Sequence, residues 1–337
     1  MAKGRLIWWT IAVCIAAGCG DTSGGASGGA AKGFSSHGIT VRYPSDWSSE
    51  DGVGRDRSIP TPITGQVDWG HSFYAPDGSV AAAIVTGQQP ILVTQGSLLV
   101  MSRIVAQAPD VPGSVEPTSF DGRPALTLDG PYMSGDVSTS LHSVIVYQRT
   151  ASFGFVCLAK VGSSDAKEEC AKFAASFEVH PLGSAAAAWS NLKSPNHALT
   201  VSVPPHWVPR SGTPQLHRSE SIAADYKSSG GFTMGVFVAG EPFHQPISIP
   251  LYVRAATLQF HQRYGFRRLR LTKLDPWIGK GVWLLVGSKT NAAAIYIEKR
   301  GRTLLTLIHP YDPKHAYAET ALRPTYDAIA ATMRANH

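Results

Sequence analysis

Cysteine is scarce in this chain, and so are the short motifs that announce chemistry. The 337 residues hold four cysteines. No H-E-x-x-H or paired-Cys pattern occurs, which removes the common zinc frameworks. Of the twelve histidines, eight follow residue 181. His206, His217, His244 and His261 stand apart there, and His309 and His315 flank a loop, so they read as structural and no metal is expected. No phosphate loop or dinucleotide fingerprint appears, so no cofactor is expected either. Ser164-Asp165-Ala166-Lys167 and Ser190-Asn191-Leu192-Lys193 match Ser-x-x-Lys, but the companion Ser-Asp-Asn and Lys-Thr-Gly patterns are missing. The first reads better as a helix start capped by Ser164 or Asp165. Gly25-Ala26-Ser27-Gly28-Gly29 spells G-x-S-x-G without the strand, turn and helix that pattern needs. The expectation is a chain with no catalytic residue, not an enzyme.

What is there is a repeat. Tyr43-Pro44-Ser45-Asp46-Trp47 follows the alternating run Ile39-Thr40-Val41-Arg42, and Val203-Pro204-Pro205-His206-Trp207 follows Leu199-Thr200-Val201-Ser202. Each reads as a strand that stops at proline and then tucks in a tryptophan. His37 and His197 precede them. Later, Val144 to Arg149 and Phe153 to Cys157 parallel Ile295 to Arg300 and Leu304 to Ile308, apolar runs with a polar break that read as a hairpin in a buried sheet. Copies of this size are single-core domains, so the repeat is a domain duplication.

The N-terminus has a short basic region, Lys3 and Arg5, then an apolar stretch at 6–17 that is too short for a confident membrane span and has the layout of a secretory signal. It ends Ala16-Ala17-Gly18-Cys19, which resembles the lipobox of bacterial lipoproteins; plain secretion or a retained signal anchor are the alternatives. The resemblance implies cleavage after residue 18 and acyl chains, palmitate among them, on Cys19. Residues 20–32 are rich in Gly, Ser and Ala and read as a flexible tether. The expected division is signal peptide 1–18, lipidated cysteine and tether 19–32, first domain 33–181 and second domain 190–337.

Charge separates the two domains. Residues 33–181 carry 9 Lys+Arg against 15 Asp+Glu, and residues 182–337 carry 18 against 8. Either the domains dock on one another or the second faces an anionic surface. Cys14 leaves with the signal and Cys19 takes lipid. Cys157 on an apolar strand and Cys170 on a helix then pair as a disulfide in an export compartment, or remain two reduced core cysteines. In the second repeat Ile308 and Ala321 stand at their positions.

Strands are expected at 66–74, 79–85, 115–120, 125–128, 140–149 and 153–160, with helices at 94–107 and from Ser164. In the second domain strands are expected at 199–203, 221–227, 232–239, 267–274, 281–288, 292–300 and 303–309. Helices are expected at 249–264 and 313–334, with Pro324 kinking or dividing the last. The class is α+β, each domain a mostly antiparallel sheet flanked by helices. With its Pro-x-x-Trp strand ends, mid-domain helix, Phe120-Asp121-Gly122-Arg123-Pro124-Ala125 turn and helix-closed end, the chain resembles the PsbP-like fold family in two tandem copies, of the bacterial envelope lipoprotein type that includes LpqN-type proteins. The resemblance implies a binding or assembly factor rather than an enzyme, and no ligand set.

One surface stands out. In Arg267-Arg268-Leu269-Arg270-Leu271-Thr272-Lys273 the leucines face a core while Arg268 and Arg270 face out, and Lys299, Arg300 and Arg302 share the sheet. The reading is a solvated face or a site for an anionic lipid, cell-wall polymer or acidic protein; nucleic acid does not fit an exported chain. Trp47 and Trp207 read as core plugs, or as walls of an apolar pocket. The expected function is a membrane-anchored extracytoplasmic binding or accessory lipoprotein at the bacterial cell membrane, or the outer membrane. The alternative is an envelope hydrolase or lipid carrier with an apolar cleft.

Overall fold

The computed structural model describes residues 30–53, 59, 66–106, 113–134, 136–180, 189–210, 221–227, 233–242, 248, 272–274, 281–287, 292–311 and 316–336. The expected signal peptide, Cys19 and the helix expected at 249–264 lie outside them.

Strands β1 (Ala31–Ser36) and β2 (Ile39–Pro44) form a hairpin whose turn, His37 and Gly38, takes φ of 50° and 81°. Two consecutive positive φ values match the twist of a two-residue hairpin. β3 (Ser48–Asp51), β4 (Gln66–Tyr74) and β5 (Val80–Val93) follow, then a 3-10 turn at Gln95–Ser97 and helix α1 (Leu98–Ala106). Then come β6 (Ser114–Phe120), β7 (Arg123–Ser134), β8 (Val137–Lys160), α2 (Ser164–Ala175) and β9 (Glu178–Val179). The second half comprises β10 (Ser190–Lys193), β11 (Leu199–Val203), β12 (Val208–Pro209), β13 (Ser221–Lys227), β14 (Thr233–Pro242), β15 (Thr272–Leu274), β16 (Gly281–Gly287), β17 (Ala292–Arg300), β18 (Thr303–Tyr311), α3 (Ala316–Thr332) and β19 (Arg334–Ala335).

The α+β class is overturned. Strand makes up 63% of the described residues, arranged in several antiparallel sheets. The physical reason is strand length: β5 runs 14 residues and β8 runs 24, against 9 and 12 for α1 and α2. β5 does not stop at Val85 but continues past it, with an irregularity between Gln88 and Val93.

β8 folds back on itself. A straight strand would put Ser143 and Phe155 about 40 Å apart, yet the Ser143 hydroxyl donates to the Phe155 carbonyl at 2.6 Å. The bend is at Arg149, φ 61°. The arm before it pairs with β7 and the arm after it with β5. Read arm by arm, the sheet β3-β4-β5-β8-β7-β6 has the same succession as the seven-stranded β12-β13-β14-β18-β17-β16-β15. Each has a three-stranded companion, β1-β2-β9 and β10-β11-β19. Two further expectations shift. The cap of α2 is Ser163, whose side chain accepts from the Ala166 amide, not Ser164 or Asp165. α3 runs undivided through Pro324.

Strand alternation gives the first sheet two buried faces. One faces α2 and holds Phe153, Phe155 and Cys157, packed with Phe173 of the helix. The other holds Leu126, Ile145, Tyr147 and Val156 below α1, and its cluster runs on into the second half through Trp207, Tyr326 and Ile329.

Candidate functional site

Each half must fasten its last helix to its sheet, and the two do so with different chemistry. In the first half the interface is apolar and covalent. Cys157 and Cys170 are both buried and form a disulfide between β8 and α2, their Cα atoms 5.8 Å apart. Phe173 of α2 packs against Trp47, Phe73 and Phe155 with ring centroids at 6.2, 5.4 and 6.2 Å. Closing a 13-residue separation is worth about 3 kcal/mol.

The second half uses a polar brace. Along β17, residues 294, 296, 298 and 300 share a face, so Tyr296, Glu298 and Arg300 line up below α3. Glu298 is buried. Its Oε1 accepts from Arg300 Nε and its Oε2 from Arg300 Nη2, both at 2.9 Å. The Tyr296 hydroxyl donates to Oε2 at 3.1 Å. Arg300 Nη1 donates to the Met333 carbonyl just beyond α3, so one guanidinium ties the sheet to the end of the helix. Such a fork supplies the hydrogen bonds that a buried carboxylate needs. Burial, and then the Glu298 carboxylate, push the Tyr296 phenol well above its ordinary value. On β18, His309 is fully buried and its ring lies flat on Tyr326 of α3, centroids 3.6 Å apart. Arg323 Nε donates to Asp327 Oδ1 at 3.0 Å.

His309 corrects the expected counterpart of Cys157. Aligning the turns at Arg149 and Gly301, both at positive φ, puts Cys157 opposite His309, eight residues on in each half. Alternation then turns Ile308 to the face away from α3, so Ile308 and Ala321 are not an apolar pair across the interface. The same alignment sets Val144 and Val146 against Tyr296 and Glu298.

Among the described residues the halves meet through Trp207 and Thr325. The Trp207 indole donates to the Pro90 carbonyl at 2.9 Å, and its ring meets Tyr326 edge-on at 6.4 Å. The Leu92 amide donates to the Thr325 hydroxyl at 2.9 Å, and Thr325 is fully buried. Trp47 and Trp207 are both buried. The strand extension beyond Val85 supplies both first-half partners.

Of the residues singled out for an anionic partner, four are among the described ones. Arg267, Arg268 and Arg270 lie outside the described residues. Lys273 is in edge strand β15, opposite Leu284. Lys299 is exposed on the face of β17 opposite that of Arg300, and Arg302 is exposed in the turn to β18. Arg300 is withdrawn from the set, because its fork is occupied by Glu298 and Met333.

Sequence reasoning also missed an aromatic stack on the first half. His37 lies on Trp69 at 4.2 Å and Phe34 on His71 at 4.2 Å, with His71 Nδ1 held to Asp51 Oδ1 at 2.9 Å. The signal was the alternation Trp69, His71, Phe73 on one face of β4. Among the described residues no three His, Cys, Asp or Glu side chains are placed to hold a metal. No described helix is long and apolar enough to cross a membrane.

No family model matches the chain, and no curated protein matches it. Among solved structures it is similar to a Bacteroides thetaiotaomicron protein at 17% identity and a TM-score of 0.31, the match covering 52% of this chain and 53% of that one. The chain thus spans about half the length of that relative. It is similar to cyanobacterial PsbP (CyanoP) from Synechocystis at 18% identity and a TM-score of 0.32, covering 48% of this chain and 98% of that one. It is also similar to the Saccharomyces cerevisiae Ran-binding protein Mog1p, at 10% identity and a TM-score of 0.33, covering 44% and 96%.

Proposed function

We propose that the chain is an exported lipoprotein of the bacterial cell envelope, two tandem PsbP-like domains anchored through acylated Cys19, working without catalysis as a binding or accessory factor. Its basic second half faces an anionic lipid, cell-wall polymer or acidic protein. The observation that carries this reading is the contact that Trp207 makes across the two halves. Trp207 is spent on Pro90 and Tyr326 rather than lining a cleft, which favours work on outer faces over a carrier with an apolar pocket. The disulfide supports export, since such bonds persist in oxidising compartments. The brace at Glu298 brings a carboxylate and a phenol together, but both carboxylate oxygens are engaged and buried, so it fastens a helix.

The test is binding of the protein, from residue 20 onward, to anionic and to zwitterionic vesicles at low and high salt. Binding to anionic vesicles that weakens with salt is expected. The double substitution Arg268→Glu/Arg270→Glu should weaken it at least about thirtyfold, at about 1 kcal/mol per basic residue near the surface. Equal binding to both vesicle types, indifference to the substitutions, or a turnover activity abolished by one side-chain change would contradict the reading.

A further inference from the structure

We infer that the end of the first half from which the chain leads back to Cys19 is a bilayer-contact edge, with Met133, Val137 and Val161 as its apolar contacts. The inference rests on the lipid-anchored reading. Among the described residues five large apolar side chains are conspicuously exposed, and these are three of them, at 58%, 45% and 53%.

Strand pairing places all three at the same end of the fold as the start of β1. Ala31 pairs with Pro44, whose carbonyl accepts from the Trp47 amide. Ser48 pairs with Tyr74. Beyond the Ala75-to-Val80 turn, the Ser79 carbonyl accepts from the Lys160 amide, and the Ser138 carbonyl from the Val161 amide. Met133 is opposite Ser138, and Val137 opposite Ser134. The start of β3, four residues beyond Pro44, and the β7–β8 tip are therefore at one end of the six-stranded sheet, and Ala31 in the companion sheet pairs with Pro44 at that same end. Pro90 and Leu92, which hold the second half, are at the other end of β5.

Residues 20–30 separate Cys19 from Ala31. Even fully extended, that stretch spans no more than about 40 Å, and its Gly/Ser-rich composition gives a root-mean-square span of about 20 Å. An acylated Cys19 holds this end, not the far one, near the surface. The charges grouped there are mixed, Lys160 near Asp77 and Glu169 near Asp46, Asp77, Asp165 and Lys172, so attraction to anionic lipid does not decide the contact and the apolar side chains do.

The experiment uses the full lipidated chain carrying Val137→Trp in phosphatidylcholine vesicles, with and without phosphatidylglycerol. Flotation of this protein and of its Cys19→Ser variant reads anchoring, and quenching by brominated lipid reads the contact. The expected result is flotation lost with Cys19→Ser, and added indole emission that is blue-shifted and quenched equally on both vesicle types and at both low and high salt. Adding Met133→Ser and Val161→Ser should reverse the shift and the quenching. Flotation through Cys19 with an unquenched, water-like indole overturns the contact and leaves the anchor standing. Failure of the lipidated chain to float overturns the anchor, and this orientation with it.

Discussion

The two sheet-to-helix interfaces have a common geometry and opposite chemistry. Below α2 lie Val144, Val146 and a disulfide; below α3, at the matching positions, lie Tyr296, Glu298 and His309. A disulfide fastens mainly by restricting the unfolded chain. A buried ion pair fastens only while every partner is present, since losing one leaves a charge without compensation. The second half therefore depends on a complete set of polar partners, and the first on the redox state of its compartment.

The largest expected effect comes from breaking the brace. Glu298→Ala should lower stability by about 3–5 kcal/mol, read as a fall in the urea midpoint, because it leaves the Arg300 guanidinium without its carboxylate. Reduction, or the Cys157→Ser/Cys170→Ser pair, should cost about 3 kcal/mol in the same assay. The buried tyrosines sharpen the comparison. Tyr296→Phe removes a hydrogen bond to Glu298 and should cost about 1 kcal/mol. Tyr147→Phe, whose hydroxyl is buried with no hydrogen-bond partner among the described residues, should be neutral or stabilising by up to about 1 kcal/mol. Burial raises both phenols in the folded chain, so above about pH 10, the ordinary tyrosine value, the unfolded chain binds fewer protons than the folded one. Stability should then fall with rising pH, by up to about 1.4 kcal/mol per unit for each tyrosine, and each Phe variant should flatten the slope. Smallest is Arg149→Gly. Its φ of 61° costs a side-chain-bearing residue about 1 kcal/mol, which glycine, present as Gly301 at the matching turn, would relieve.

Much of this was legible. Tryptophan after Pro-x-x marked both core plugs, and an apolar strand followed by a capped helix brought Cys157 and Cys170 together. β5 runs past Val85 through Gly87 and Pro90, residue types that usually end strands, with an irregular ladder there, and this is the segment that meets Trp207. The brace went unread because Tyr296, Glu298 and Arg300 sit in a run whose charged end looked solvated. Pairing Ile308 with Cys157 was a one-residue slip, and in a strand such a slip exchanges the faces. Arg300 looked like part of a basic surface because its neighbours Lys299 and Arg302 are exposed, yet alternation turns it inward.

Hydrogen exchange across α2 and α3 tests the central comparison most directly, measured on the wild-type protein with and without reductant and on Glu298→Ala. Reductant should strip protection from 164–175 and leave 316–332 protected, while Glu298→Ala should do the reverse. Simultaneous loss of protection in both helices under either treatment would contradict the account, because the two halves would then be held by one shared fastening.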